Sequence, residues 1–332
     1  MSEFCDHLKK GKTFNVLGCL TIKQNNSMSN PYLLPNQFAQ GKPLTLSENI
    51  DKYFLQLIEK ILAEKNLKND CTLIITKEAI FNKHPEVKGF SPIASSEKDE
   101  ILERFLEKSQ SELKNCLIFA NIIYSGIRQV NPYLEMKLKD KFQDYSTLFG
   151  KEIIDFNDRS NFHYIRVPGS PQMGYKKESY LKVSNKTFVI ANGLQVTSYR
   201  KRILADNDFQ AYDIEKEIRY FNPGKIKKEQ ISNPEFYKMF PIQICADIDH
   251  DTFSKEYKVD KTPMIHVIQS DFSSLQNTPI INGYLIHIDA FEDNFRLFSV
   301  NDRVKKKIAP IFLEEYGSFK FLGWKGLSLQ YH

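Results

Sequence analysis

Three residues of this 332-residue chain carry the side chains of nucleophilic catalysis, each at or just past the end of a short apolar run. They are Glu78 in Leu73-Ile74-Ile75-Thr76-Lys77-Glu78-Ala79, Lys201 in Tyr199-Arg200-Lys201-Arg202-Ile203-Leu204, and Cys245 in Pro241-Ile242-Gln243-Ile244-Cys245-Ala246-Asp247. Strand ends are where α/β proteins place functional groups. A thiol with a free pKa of about 8.5 is mostly protonated at neutral pH, so it needs a base or a nearby positive charge to become a thiolate. A carboxylate and an ammonium are groups of those two kinds. Taken singly, each residue has a plainer use: Glu78 as a helix cap, Lys201 as a surface charge, Cys245 as a small core residue.

The elements that must position these groups are legible as alternating runs. Residues Phe14 to Ile22, Thr72 to Thr76, Cys116 to Tyr124, Thr187 to Ala191, Ile242 to Cys245, Met264 to Gln269, Tyr284 to Ile288 and Arg296 to Val300 are rich in Val, Ile and Phe and read as strands. Ser47 to Asn66 carries Ile50, Phe54, Leu55, Leu57, Ile58, Ile61 and Leu62 at helical spacing, with a loose capping pattern in Ser47-Glu48-Asn49-Ile50. Ser96 to Lys114 repeats the pattern with Ile101, Leu102, Phe105, Leu106 and Leu113, Ser96 standing as N-cap. Strand, helix, strand, helix, strand is the order of an α/β domain, and the closely spaced later strands predict a mixed sheet. A two-sheet sandwich covered by helices and a doubly wound sheet both fit that pattern. Gln129 to Lys186, with Pro132, Asp140, Asp155, Asn157-Asp158 and Pro168-Gly169-Ser170-Pro171, has weak periodicity and reads as an insertion or surface excursion.

Taken together and in order, these residues resemble the nitrilase superfamily of carbon–nitrogen hydrolases, whose triad runs Glu, Lys, Cys, each after a strand. Glu78 matches the strand-end glutamate, Lys201 the Tyr-Arg-Lys-x-x-Leu element, and Cys245 the strand followed by Cys-x-Asp/Glu. Glu217, followed by Asn222-Pro223-Gly224, matches a second glutamate carried by many members. Asn192-Gly193 looks like the turn before the lysine strand. Two departures stand out: Lys77 occupies a place usually held by Pro, and the interval from Glu78 to Lys201 is longer than usual.

The resemblance implies a four-layer α-β-β-α sandwich with mixed sheets, residues 1–332 forming one domain, paired with a second copy as a homodimer. It also implies a hydrolase of a non-peptide C–N bond, an amide first, with no metal or organic cofactor. Glu78 is then the base, while Lys201 and the backbone N–H of Ala246 are donors to an oxyanion. Glu217 positions Lys201 or the substrate amine, and Asp247 either holds the loop after the nucleophile or serves a plain turn. Nitrile hydrolysis, carbamoyl hydrolysis and acyl transfer to an amine share the same acyl-enzyme, and nothing in the sequence selects among them. The reading from another class is a catalytically weak binding protein whose contact surface is the Gln129 to Lys186 excursion.

Other chemistries find less support. Asp247-Ile248-Asp249-His250-Asp251 suggests a metal loop, but Thr252 stands where a calcium loop needs Gly and Lys258 where it needs the bidentate glutamate. Asp251 breaks the Asp-x-Asp-x-Thr/Val pattern of a dehalogenase-like phosphatase. His266 and His287 are the strand histidines that a papain-like site would draw on, yet the local Cys signature of that class is missing. No GxxxxGK[ST] or GxGxxG occurs among 14 glycines, so nucleotide cradles have no support. Lys+Arg 46 against Asp+Glu 41 is too mild and too dispersed to predict nucleic-acid binding. No run approaches the roughly 18 apolar residues that cross a bilayer, and the five cysteines form no CxxC pair, so reduced thiols in the cytoplasm are the expectation.

Overall fold

The computed structural model describes residues 2–21, 38–39, 42–43, 45–68, 70–78, 80–81, 93–125, 162–165, 173–176, 180–201, 218–221, 234–247, 261–270, 280–289, 294–317 and 319–330. Four helices are described: α1 (Ser2–Lys9), α2 (Leu46–Ile50, a π turn at Asp51–Leu55, then Gln56–Glu64), α3 (Ser95–Gln110) and α4 (Pro234–Met239). The principal strands of the two main sheets are β1 (Phe14–Thr21), β2 (Cys71–Thr76), β3 (Cys116–Ser125), β4 (Tyr180–Ala191), β5 (Leu194–Arg200), β6 (Ile218–Phe221), β7 (Ile242–Ile244), β8 (Met264–Ser270), β9 (Gly283–Asp289), β10 (Asn294–Asn301), β11 (Val304–Ile308), β12 (Phe312–Tyr316) and β13 (Phe319–Leu327).

Two mixed sheets result. The larger has the order β5-β4-β3-β2-β1-β13-β12, with β6 also pairing with β4 and the two-residue strand Ile93–Ala94 with β3. The smaller has the order β7-β8-β9-β10-β11. In the larger sheet β1, β2 and β3 are parallel, β4 runs antiparallel to β3, and β5 antiparallel to β4. Hence β2 and β5 point the same way, and their C-terminal ends, which carry Glu78 and Lys201, fall at one edge of the sandwich.

Side-chain alternation divides the larger sheet between two cores. One face, with Phe14, Val16, Leu73, Ile75, Leu117, Phe119 and Trp324, shares its cluster with Ile242, Ile244, Val267, Ile286 and Leu297 of the smaller sheet. The other face, with Leu17, Cys19, Ile74, Ile118, Ile190 and Phe321, packs on Ile50, Phe54, Ile58 and Ile61 of α2 and on Ile101 and Phe105 of α3. Phe54 is the hinge of that second core, its ring 5.3 Å from Phe81 and 5.0 Å from Phe319. Burial of each such side chain contributes about 1.5–3 kcal/mol. Helix α4 and the residue that follows it feed Phe236 and Phe240 into the inter-sheet core, their rings 6.3 and 5.8 Å from Phe119.

The α/β class and the mixed sheets are as expected. The described helices give the larger sheet its helical cover; they do not by themselves build the fourth layer of the expected sandwich. Helix starts differ from expectation. In α2 the cap is Thr45: its Oγ1 accepts from Glu48 N at 3.2 Å while Glu48 Oε2 accepts from Thr45 N at 2.7 Å, so Ser47 is released to donate to Glu100 Oε2 at 3.1 Å. In α3 the cap position is Ala94, not Ser96; lacking a side-chain acceptor, it is served by Glu97, whose Oε2 accepts from Ala94 N at 2.8 Å. That helix also ends at Gln110, short of Lys114.

Of the Gln129 to Lys186 segment, Phe162–Ile165 and Met173–Lys176 form a short antiparallel ribbon and residues 180–186 are the first part of β4. The rest of that excursion lies outside the described residues. Among the described residues, no helix is long and apolar enough to cross a membrane.

Candidate active site

Glu78 stands two residues beyond β2. The parallel ladder continues one step past Thr76, with Lys77 N donating to Cys19 O at 3.0 Å, a bond that proline could not make because it has no N–H. Lys77 is itself buried, as is Glu78. Lys201 follows β5 directly, and its N–H donates to Asn185 O on β4 at 3.0 Å. The two side chains meet: Lys201 Nζ lies 3.0 Å from Glu78 Oε1, both essentially without solvent exposure. A desolvated pair of this kind stands only where hydrogen bonds supplement the charge attraction. Here Asn185 Nδ2 supplies one, donating to Glu78 Oε1 at 2.6 Å.

Cys245 arrives from the smaller sheet. The strand read as reaching Cys245 stops at Ile244, because Cys245 adopts φ +48° and opens a 3₁₀ turn through Ala246 and Asp247. A left-handed conformation is strained for a residue with a Cβ, and such strain gathers at functional turns. The turn is closed by its own residues. Asp247 Oδ2 accepts from Ile244 N at 3.2 Å, and Gln243 Nε2 donates to Asp247 O at 3.1 Å. Asp247 therefore both shapes the turn and anchors it, since the same Oδ2 accepts from Tyr199 Oη at 2.7 Å.

Two links bring this turn to the edge where Glu78 and Lys201 meet. The first is Tyr199–Asp247, with Tyr199 two residues before Lys201. The second is Gln269, the register partner of Ile244, whose Nε2 donates across the inter-sheet gap to Thr76 O at 2.7 Å and Phe119 O at 3.1 Å. Thr76 is two residues before Glu78. The turn that holds Cys245 is thus tied to the strands that carry Glu78 and Lys201, which are themselves in direct contact. Glu217 lies outside the described residues, and of Ala246 only the backbone is described.

Asn121, Asn185, Thr187, Tyr199 and Gln269 take part in this site without having been singled out from the sequence. Buried amides and hydroxyls inside apolar strands were the available signal, since such groups need partners. Burial pushes the Cys71 thiol up to about 12 and those of Cys19 and Cys116 upward as well, which holds these three in the unreactive form. Among the described residues no group of three or more His, Cys, Asp or Glu is placed to hold a metal ion, while Asp249, His250 and Asp251 lie outside them.

No protein-family profile matches the chain, and no curated protein sequence matches it. Among solved structures it is similar to a glutamine-dependent NAD(+) synthetase from Cytophaga hutchinsonii, at TM-score 0.40 and 10% identity over 96% of this chain and 44% of that one. It is similar also to a glutamine-dependent NAD+ synthetase from Acinetobacter baumannii in complex with ADP, at TM-score 0.38 and 12% identity over 94% and 46%. A third likeness is to an amidase from Nesterenkonia sp., at TM-score 0.40 and 8% identity over 95% and 91%. The chain spans less than half the length of either synthetase. Likenesses this loose stand beside the geometry and add no weight to it.

Proposed function

We propose that the chain is a hydrolase of a non-peptide C–N bond, most simply an amide, of the nitrilase kind, working through a thioester on Cys245. The observation that carries this reading is the buried contact of Glu78 with Lys201 at 3.0 Å, at the end of the sandwich where the strained Cys245 turn is fastened.

In this mechanism the Glu78 carboxylate takes the Sγ proton as the thiolate attacks the carbonyl carbon. The carbonyl π pair moves onto oxygen, where the Lys201 ammonium and the Ala246 N–H receive the charge. Collapse breaks the C–N bond, and the departing amine takes its proton from the Glu78 carboxylic acid. Water then attacks the thioester with Glu78 accepting its proton, the second oxyanion collapses, and the acid leaves. Glu78 returns the proton to sulfur. No step needs a metal or organic cofactor. Glu217 is assigned to positioning Lys201 or the substrate amine. The four-layer sandwich, the single domain and the homodimer belong to the same proposal.

Alkylation with iodoacetamide followed residue by residue tests the reading. One fast thiol, Cys245, is expected, slowed by at least tenfold in Glu78→Gln and Lys201→Ala. Equal, slow alkylation of all five thiols overturns it. A panel of small amides then gives the reaction: release of ammonia or amine that persists in Cys245→Ala also overturns it.

A further inference from the structure

Glu78 is held by more than its lysine. Its Oε1 accepts from Asn185 Nδ2 at 2.6 Å, and Asn185 Oδ1 accepts from Asn121 Nδ2 at 2.9 Å. Asn121 Nδ2 also approaches Thr187 Oγ1 at 3.4 Å, and Thr187 Oγ1 donates to Gln269 Oε1. Gln269 Nε2 ends the chain on the carbonyls of Thr76 and Phe119. Asn121, Asn185, Thr187 and Gln269 are all buried.

Chemistry fixes every amide in this line. A carboxylate only accepts, so Asn185 must present its NH₂ to Glu78 and its oxygen to Asn121. Backbone carbonyls only accept, so Gln269 must present its NH₂ to them and its oxygen to Thr187. Donation therefore runs outward from the Asn121 NH₂ in both directions, ending on a carboxylate at one end and on two carbonyls at the other. It crosses β4, β3 and β8, tying the carboxylate of one sheet to the strand beside the nucleophile in the other.

We propose that Asn185, locked by Asn121, is the positioning residue for Glu78: it fixes the rotamer that presents Oε1 to Lys201 and favours the ionised carboxylate. This inference rests on Glu78 acting as the base for Cys245. The charged groups around that carboxylate in the described structure are Lys201, in contact with it, and Lys77, its buried chain neighbour. Asn185 touches neither the thiol nor a substrate in this role and acts through Glu78 alone.

The test is the pH profile of Cys245 alkylation in the full chain, with melting temperature recorded in parallel. Asn185→Asp keeps shape and the acceptor for Asn121 but turns a carboxylate oxygen toward Glu78, so the two carboxylates disfavour each other's ionisation. The acid limb of the profile is expected to move up by about one pH unit or more, and the rate at pH 7 to fall at least tenfold. Asn185→Leu, similar in volume but without a donor, is expected to move the limb in the same direction by less. Asn121→Leu, which leaves the Asn185 donor in place but unlocked, is expected to lower the rate less than Asn185→Asp does. Variants that melt lower but keep the limb and the rate of the unsubstituted protein overturn the positioning role. A fast thiol in the unsubstituted protein that depends on Glu78 but not on Asn185 sinks this inference alone, whereas absence of any fast thiol sinks the hydrolase reading with it.

Discussion

Tyr199 Oη donates to Asp247 Oδ2 at 2.7 Å, and that one bond fastens the strand that delivers Lys201 to the turn that delivers Cys245. Both groups are buried, so neither can turn to water if the other is removed. Tyr199→Phe keeps the ring and deletes the donor, leaving Ile244 N as the remaining partner seen at Oδ2. A loss of about 1–3 kcal/mol in urea unfolding is expected, together with slower alkylation of Cys245. A change under about 0.5 kcal/mol, the scale of neutral surface substitutions, would show that the bond is dispensable.

The Glu78–Lys201 contact lends itself to a double-mutant cycle. Removing either partner takes a buried counter-charge from the other, and about 3–5 kcal/mol of destabilisation is expected for Glu78→Gln or Lys201→Met alone. The double variant leaves no buried charge of the pair. Its loss is expected to fall short of the summed single losses by about 1 kcal/mol or more, read as the coupling in urea unfolding curves. Strict additivity would mean that the two side chains do not pair in solution.

What the sequence disclosed and what it hid divide along a physical line. Strands β1, β2, β3, β8, β9 and β10 were legible because Val, Ile, Leu and Phe dominate their runs. The first half of β4 was hidden because Ser184, Asn185 and Lys186 interrupt the run; of these, Asn185 sits where the site needs it, on the Glu78 carboxylate. Strand β13 was hidden by Gly323 and Gly326. At Gly323 a Cβ would lie 2.0 Å from the Phe312 ring, so the glycine is there for cross-strand packing with β12 and breaks the β pattern to achieve it. Glu78, Lys201 and Cys245 were legible as types at strand ends, and the structure joins the first two directly. The amide line behind them was not, because Asn121, Asn185 and Gln269 stand 43 to 191 residues from Glu78 and from one another and are brought together only by the fold, with no local spacing that marks them.

Cys245 offers a test in which glycine and alanine exchange their usual order. At φ +48° a residue with a Cβ carries roughly 1–2 kcal/mol of left-handed strain, which glycine does not. Both Cys245→Ala and Cys245→Gly abolish the thiol; glycine also gives up the buried Cβ, worth about 0.8 kcal/mol, against the strain it escapes. Cys245→Gly is therefore expected to be at least as stable as Cys245→Ala in thermal unfolding, although glycine is ordinarily the costlier residue. A Cys245→Ala protein that melts higher than Cys245→Gly would mean that the turn relaxes to an ordinary conformation in solution.

The histidines set an acid limit on stability. His266 on β8 and His287 on β9 share a face of the smaller sheet, both fully buried. Burial pushes each down to about 3, reinforced for His266 by His287 and for His287 by Arg296. Folded, they stay neutral; unfolded, they take up protons near the ordinary value of about 6.5. Because the folded state binds fewer protons, the stability is complete above about pH 6.5 and is lost as pH falls from there toward about 3. Between about pH 6 and 5, where most carboxylates remain ionised, each histidine is expected to remove about 1.4 kcal/mol per pH unit. Urea unfolding across that window should show the sum of the two, and His266→Leu should halve the slope. A slope that His266→Leu leaves untouched would mean that His266 is protonated, and satisfied, inside the folded protein.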